Sequence, residues 1–331
     1  MRILFGKLFA AAVLATSVAV PHALGADQVT LRYGVIEASL GLFQSIALEV
    51  AQQKGMLDKE GVILELVPLQ GTSHMIDALD DGKVDISYTA SPYLIQGALA
   101  GSNAVAVVGG PATTIYSLVS RPEIKSFDDL RGKAVALSKP EDIITISTQQ
   151  LLAKHGLQAG DYVSTELIGT PKRSECIETG ACAAAPLSQP DDYEYLAKGF
   201  NILANSSAVI PALQFTVIAA NKDWAEGHRD ELVRFARAMG EAYKFVSDPA
   251  NKEEIIRIGA EMTGATAEIT NQIYSLYFEP NIGVLPKHAE INMEGMSKII
   301  ELMGGAGLLS EPLPSADQFV DLQYLKEAGM Q

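Results

Sequence analysis

The side chains suited to covalent or acid–base chemistry are few and scattered. Nucleophilic catalysis needs a Ser, Cys or Thr beside a base that a third group orients. The five histidines, His22, His74, His155, His228 and His288, supply no such set. His22 lies in an N-terminal leader described below. His155 ends a predicted helix, where an imidazole is well placed, and His228 and His288 fall in polar stretches. Only His74, just past the loop 70–72, is positioned to face a site, and the start of a helix is the better account of it. No GxSxG, HExxH, Walker loop or GxGxxG occurs.

What recurs instead is a set of hydrogen-bonding residues placed just after predicted strands. They are Glu37 and Ser39; Gln70 and Thr72; Thr89 and Ser91, preceded by Tyr88; Ser138, Lys139 and Glu141; Thr170; and Gln189. Each alone reads as an ordinary loop or cap residue, and Ser138 and Thr170 suit helix N-caps in any case. Together they provide donors and acceptors with room for a small molecule between them. Tyr88 and Tyr116 are available as walls against which a ring could stack. This is a pattern for holding a ligand, with no catalytic residue and no cofactor implied.

The elements that carry these residues follow a repeated plan. Residues 73–93, SHMIDALDDGKVDISYTASPY, read as a short helix, a turn at Asp80-Asp81-Gly82, a strand over 84–88, and a small-residue loop before Pro92. Gly82 suits the left-handed turn that ends a helix. Residues 173–189, RSECIETGACAAAPLSQ, repeat that order with Gly180 in the place of Gly82. Upstream of each unit the chain runs strand, loop, helix, strand, loop: 30–36, 43–51 and 62–69 before the first, and 134–137, 144–152 and 162–168 before the second. Strands alternating with helices predict a mostly parallel, doubly wound α/β sheet, here built twice. The strong strand 215–220 comes too late to complete the second sheet and is expected to cross back into the first. Three apolar helical faces follow: Leu232, Phe235, Ala236, Met239, Tyr243 and Val246; Ile269, Ile273, Leu276 and Tyr277; Met296, Ile299, Ile300 and Met303. They are expected to cover the first lobe. The organisation expected is residues 1–25 as a leader, 26–118 plus 214–331 as lobe 1, and 119–213 as lobe 2.

The leader has Arg2 and Lys7, an apolar run from Leu8 to Val20, and small residues before Ala26. That is the layout of a secretory signal cleaved near Gly25-Ala26, and the run is short for a membrane span, which needs about 20 residues. Loss of Arg2 and Lys7 takes the formal charge from −15 to −17. So acidic a chain excludes a nucleic-acid partner and argues against an anionic membrane surface. About 306 residues remain, more than one core normally fills. Cys176 and Cys182 lie in an exported chain, where a disulfide closing a very short loop and two buried thiols are both compatible with the sequence. Two thiols without a nearby histidine supply too few ligands for a metal.

Several phrases resemble one family: FQSIALEVAQQKGMLDKEGVILELVPLQG, IDALDDGKVDI, SPYLIQGALAG, PEIKSFDDLRGKAVALS and LLAKHGL, with ETGACAAAPLSQP at the corresponding place in the second lobe. They are similar to the ABC-transporter solute-binding proteins of the nitrate/sulfonate/taurine and thiamine-precursor class, over about residues 30–225. The resemblance implies a type II periplasmic-binding fold with a hinge, a small molecule held between lobes in the periplasm, and delivery to an ABC permease and its ATPase by a monomer. It maps the family's ligand loops onto the strand-end residues above. Enzymes related to thiamine-pyrimidine synthases, and some lyases, share the fold and are the alternative, although the cysteine cluster of the pyrimidine synthases is missing. The chain departs from the pattern where Cys182 replaces a common Asp and where Lys139-Pro140-Glu141-Asp142 replaces a small Gly/Ser-rich turn. Glu141 and Asp142 would repel a sulfonate or nitrate unless Lys139 or Arg173 offsets them, so a neutral or amine-bearing, ring-containing ligand is expected.

Overall fold

The computed structural model describes residues 27–69, 71, 73–113, 115–210, 213–278 and 283–330. The leader and its cleavage point therefore lie outside the described residues. Ten strands form two sheets: β1 (Val29–Val35), β2 (Val62–Pro68), β3 (Ile86–Ala90), β4 (Ala104–Gly109) and β10 (Thr216–Asn221) in the first, and β5 (Ser117–Ser120), β6 (Ala134–Leu137), β7 (Val163–Glu166), β8 (Ala184–Leu187) and β9 (Asn201–Asn205) in the second. The orders, β2-β1-β3-β10-β4 and β7-β6-β8-β5-β9, are the same plan built twice. In each, three strands run parallel and the fourth is antiparallel to both neighbours.

That fourth strand is where the halves are joined. β5 follows the first four strands of the first sheet yet pairs in the second, and β10 follows β9 yet returns to the first, as expected for 215–220. The connecting segments therefore run side by side and bond to each other. Ser206 N donates to Tyr116 O (2.9 Å), Tyr116 N donates to Ser206 Oγ (3.0 Å), and Thr113 Oγ1 donates to Ile210 O (2.9 Å). Two adjacent crossover segments of this kind form the hinge of a two-lobed molecule.

The first lobe holds the larger core, to which all three predicted helical faces contribute. The helix Arg229–Ser247 buries all six residues of its predicted face, and the helix Met293–Gly305 all four of its own. In the helix Ala267–Tyr277 the face is rotated slightly: Thr270, Ile273, Tyr274 and Tyr277 are buried, while Ile269 and Leu276 are partly so. The second sheet is flanked by two smaller clusters. Ile143 and Ile146, at the start of a second-lobe helix, pack into the first lobe's core, so the lobes touch through apolar contacts as well as through the hinge.

The repeated turn is real in both units. Gly82 and Gly180 have φ of 63° and 83°, values that favour glycine. The strand after Gly82 starts two residues later than the pattern predicts, at Ile86. Lys83 N and Val84 N both donate to Ala78 O, so these residues still close the helix end. Ser91 and Pro92, expected in a loop, open the helix Ser91–Leu99 directly from the strand, proline being favourable in a first turn.

Candidate functional site

The strand ends of both sheets converge on one cavity of about 390 Å³ between the lobes. Of the predicted residues, Ser39, Tyr88, Tyr116, Ser138 and Thr170 line it. Gln70 and Thr72 lie outside the described residues, as does the side chain of Glu37, though Gly71 is part of the lining. Thr89, Ser91, Lys139, Glu141 and Gln189 are not among the lining residues.

Physical reasons separate the two groups. Side chains alternate across a strand, so in β3 Tyr88 and Ala90 reach the cavity and the buried Thr89 points to the other face. Ser91 is fully buried and its hydroxyl donates to Gln214 O (2.5 Å). Gln189 is committed beneath the site, its Nε2 donating to Asp192 Oδ2 (2.6 Å). Lys139 and Glu141 are half-buried on the turn before the helix Ile143–Lys154. Of that turn only Ser138 and Asp142 belong to the lining.

The first lobe contributes an aromatic and aliphatic wall. Tyr116 and Phe215 meet edge to face, with centroids 6.2 Å apart, and Tyr88, Tyr93, Leu42 and Ile36 extend the apolar surface. Burial pushes the Tyr116 phenol up to about 12, with Arg173 opposing that rise. Burial likewise drives the Tyr88 phenol upward. The Tyr88 hydroxyl and the Thr216 hydroxyl are buried without a hydrogen-bond partner. A phenol kept neutral at these positions is a donor, not a base.

The second lobe contributes the charge. Arg173, from the helix Thr170–Thr179, is only 1% exposed. Its Nε donates to Pro186 O (2.8 Å), Nη1 to Leu167 O (3.3 Å) and Nη2 to Thr170 Oγ1 (3.2 Å). Desolvation lowers its pKa, while Tyr116, Asp142 and Asp191 raise it. Asp142 stands at the N-cap position of its helix but does not cap it. One carboxylate oxygen instead accepts from the Tyr93 hydroxyl of the other lobe (2.5 Å), and the other accepts from the Ser138 hydroxyl. Asp142 thus ties the lobes together at the cavity wall. Asp191 completes the charged set; burial raises its pKa, and Lys198 and Arg173 oppose the rise.

The predicted loops after 36, 69, 88, 137 and 169 border this cavity, and Tyr93, Asp191 and Phe215 line it without having been singled out from the sequence. Tyr93 and Asp191 each sit just after a proline at a strand end, which is the signal that could have found them. Among the described residues no histidine lines the cavity: the rings of His155 and His228 stack on Phe127 and Trp224. Cys176 and Cys182 are joined in a disulfide, Cα atoms 5.1 Å apart, that spans the Gly180 turn. No cluster of potential metal ligands is found among the described residues. No helix of the described residues is long and apolar enough to cross a membrane.

Residues 43–252 match the profile of a family described as NMT1/THI5 like. Three solved structures share the architecture. The ligand-binding component of an ABC-type import system from Staphylococcus aureus, solved with zinc bound, has a TM-score of 0.75 at 16% identity, covering 92% of this chain and 100% of that one. The periplasmic aliphatic sulphonate-binding protein SsuA of Escherichia coli has a TM-score of 0.68 at 19% identity, over 88% and 92% of the two chains. The periplasmic nitrate-binding protein NrtA from Synechocystis PCC 6803 has a TM-score of 0.73 at 15% identity, over 91% and 88%. No curated protein matches the chain in sequence. At these identities the likeness establishes the fold, the type II periplasmic-binding arrangement that the duplicated sheets already display.

Proposed function

The chain belongs to the NMT1/THI5-like family, and from that premise we propose that it is the solute-binding component of an ABC importer. Exported by its first 25 residues, it captures a small organic molecule between its lobes and delivers it to a membrane permease coupled to an ATPase. The observation that carries this reading is the cavity itself: both lobes wall it, and the Tyr93–Asp142 hydrogen bond bridges them across it. A molecule held there touches both halves, so its binding favours the closed arrangement of the hinge.

The lining supports a neutral or amine-bearing ring compound. The wall is aromatic on one side, and on the other the two carboxylates Asp142 and Asp191 outnumber the single guanidinium of Arg173. An inorganic or sulfonate anion would meet net negative charge in a partly desolvated site, an unfavourable arrangement.

Native mass spectrometry of protein purified without refolding tests the proposal. The expected result is one small molecule per chain, released unchanged on unfolding. Release of a chemically altered compound would favour the enzyme, and failure to retain or bind any small molecule would defeat the capture reading.

A further inference from the structure

The polar groups that line the cavity divide into those already committed to protein partners and those left over. Ser39 donates to Ile36 O (2.7 Å), and Ser138 donates to Asp142. Asp142 accepts two hydroxyls, and Arg173 is held by three oxygen acceptors of its own lobe. Thr170 accepts from Arg173 and lies 3.3 Å from the Ser188 hydroxyl. Among the described charged residues of the lining, Asp191 alone makes no hydrogen bond and no ion pair. Its neighbour Asp192 takes the local donors instead, accepting from Ser117 Oγ (2.5 Å), Gln189 Nε2 (2.6 Å) and Tyr193 N (2.8 Å).

A partly buried carboxylate without a partner is costly, because lost hydration is not replaced. A second observation points to the same missing molecule. The Thr216 hydroxyl, on a residue 3% exposed, and the Tyr88 hydroxyl are both buried, unpartnered and part of the same lining. The cavity thus presents one uncommitted anion together with two uncommitted hydroxyls and an aromatic wall.

Resting on the capture reading above, we infer that Asp191 is the counter-charge for a cationic nitrogen on the ligand, an amidinium or protonated amino group carried by a planar ring. The ring lies against the aromatic side, where Tyr88, Tyr116 and Phe215 supply stacking and edge contacts. Closure then brings Asp191, on the opposite lobe, to the charged end. Neither nearby cation pairs with Asp191: the hydrogen bonds of Arg173 hold it to Pro186, Leu167 and Thr170, and Lys198 lies over the Tyr195 ring, 4.5 Å from its centroid.

Three ring probes of similar size and different charge test this by calorimetry: benzamidine, benzamide and benzenesulfonate. Benzamidine is expected to bind at least about tenfold more tightly than benzamide, with benzenesulfonate weakest. Asp191→Asn is expected to erase the benzamidine advantage while leaving benzamide within about twofold, and Asp191→Glu to restore part of it. Unchanged melting temperatures of both variants show that they fold. Benzenesulfonate binding most tightly, or an undiminished benzamidine advantage in Asp191→Asn, would overturn the inference. So would failure of all three to bind, but a ligand found by native mass spectrometry would then leave the capture reading standing.

Discussion

The units 73–92 and 170–190 pass through the same elements, helix, glycine turn, strand and proline, yet their side chains do different work. In the first, the turn is clamped by charge: Arg32 donates from Nη1 to Gly82 O (2.7 Å) and from Nη2 to Asp85 Oδ1 (2.5 Å), while its backbone N–H reaches Asp85 Oδ2 (2.7 Å). In the second, the corresponding turn is clamped by the Cys176–Cys182 disulfide. At the cavity the roles reverse. The first unit and the residue after it deliver neutral rings, Tyr88 and Tyr93, and the second delivers Arg173 from its helix and, just past its proline, Asp191. The two sheets share one plan, while the charged residues of the cavity lining lie on one lobe. One wall of the cavity is therefore aromatic and the other charged.

The largest effect should come from removing the buried cation. Arg173→Leu leaves the acceptors Pro186 O, Leu167 O and Thr170 Oγ1 without their donor, and urea unfolding should show a loss of about 4 kcal/mol. Arg32→Leu in the first lobe should lose only about 1 kcal/mol, because that side chain is 39% exposed and its ion pair is screened. Equal losses would mean that the two lobes are not stabilised as differently as their burial suggests.

Asp192 sharpens the contrast through pH. Burial lifts its carboxyl from 3.8 to about 6, against the donors Ser117, Gln189 and Tyr193. Between those values the folded chain holds the proton and the unfolded chain has lost it. The contribution of this group to stability is therefore greatest below about pH 4 and falls as pH rises through about 6, by on the order of 3 kcal/mol. Relative to wild type, Asp192→Asn should lack this decline. A difference between the two proteins that stays constant from pH 4 to 7 would refute it.

Replacing Cys176 and Cys182 together by serine should cost about 2 kcal/mol on chain-entropy grounds. Hydrogen exchange should accelerate over 170–187 and remain unchanged over 73–90. Salt should act on the Arg32–Asp85 turn in the opposite pattern. The smallest effect is expected for Tyr93→Phe, which removes the hydroxyl bridging to Asp142. Benzamidine affinity should fall by roughly fivefold, about 1 kcal/mol, and small-angle scattering should show a more open ligand-free chain.

Much of the architecture could be read from local chemistry. The glycines at 82 and 180 announced the two turns, the apolar spacing announced the strands and the C-terminal helices, and the late strand at 215–220 announced the return to the first sheet. Strand-end loops were recognisable as a set, and several of them border the cavity between the lobes. Single residues were less legible: Tyr88 and Thr89 are neighbours of similar polarity to a pattern reader, but the pleat sends one to the cavity and the other into the core.

Local spacing and composition determined this protein's duplicated plan, its turns and the loops that border the cavity between the lobes, because each depends on residues within a few positions of one another. The tertiary structure alone decided that Asp142 spans the lobes, that Arg173 is buried among its own lobe's oxygens, and that Asp191 is left uncommitted. Those outcomes depend on groups far apart in sequence, such as Tyr93 and Asp142, being brought within hydrogen-bond reach. No one-dimensional pattern records which of several nearby carboxylates will find a donor first.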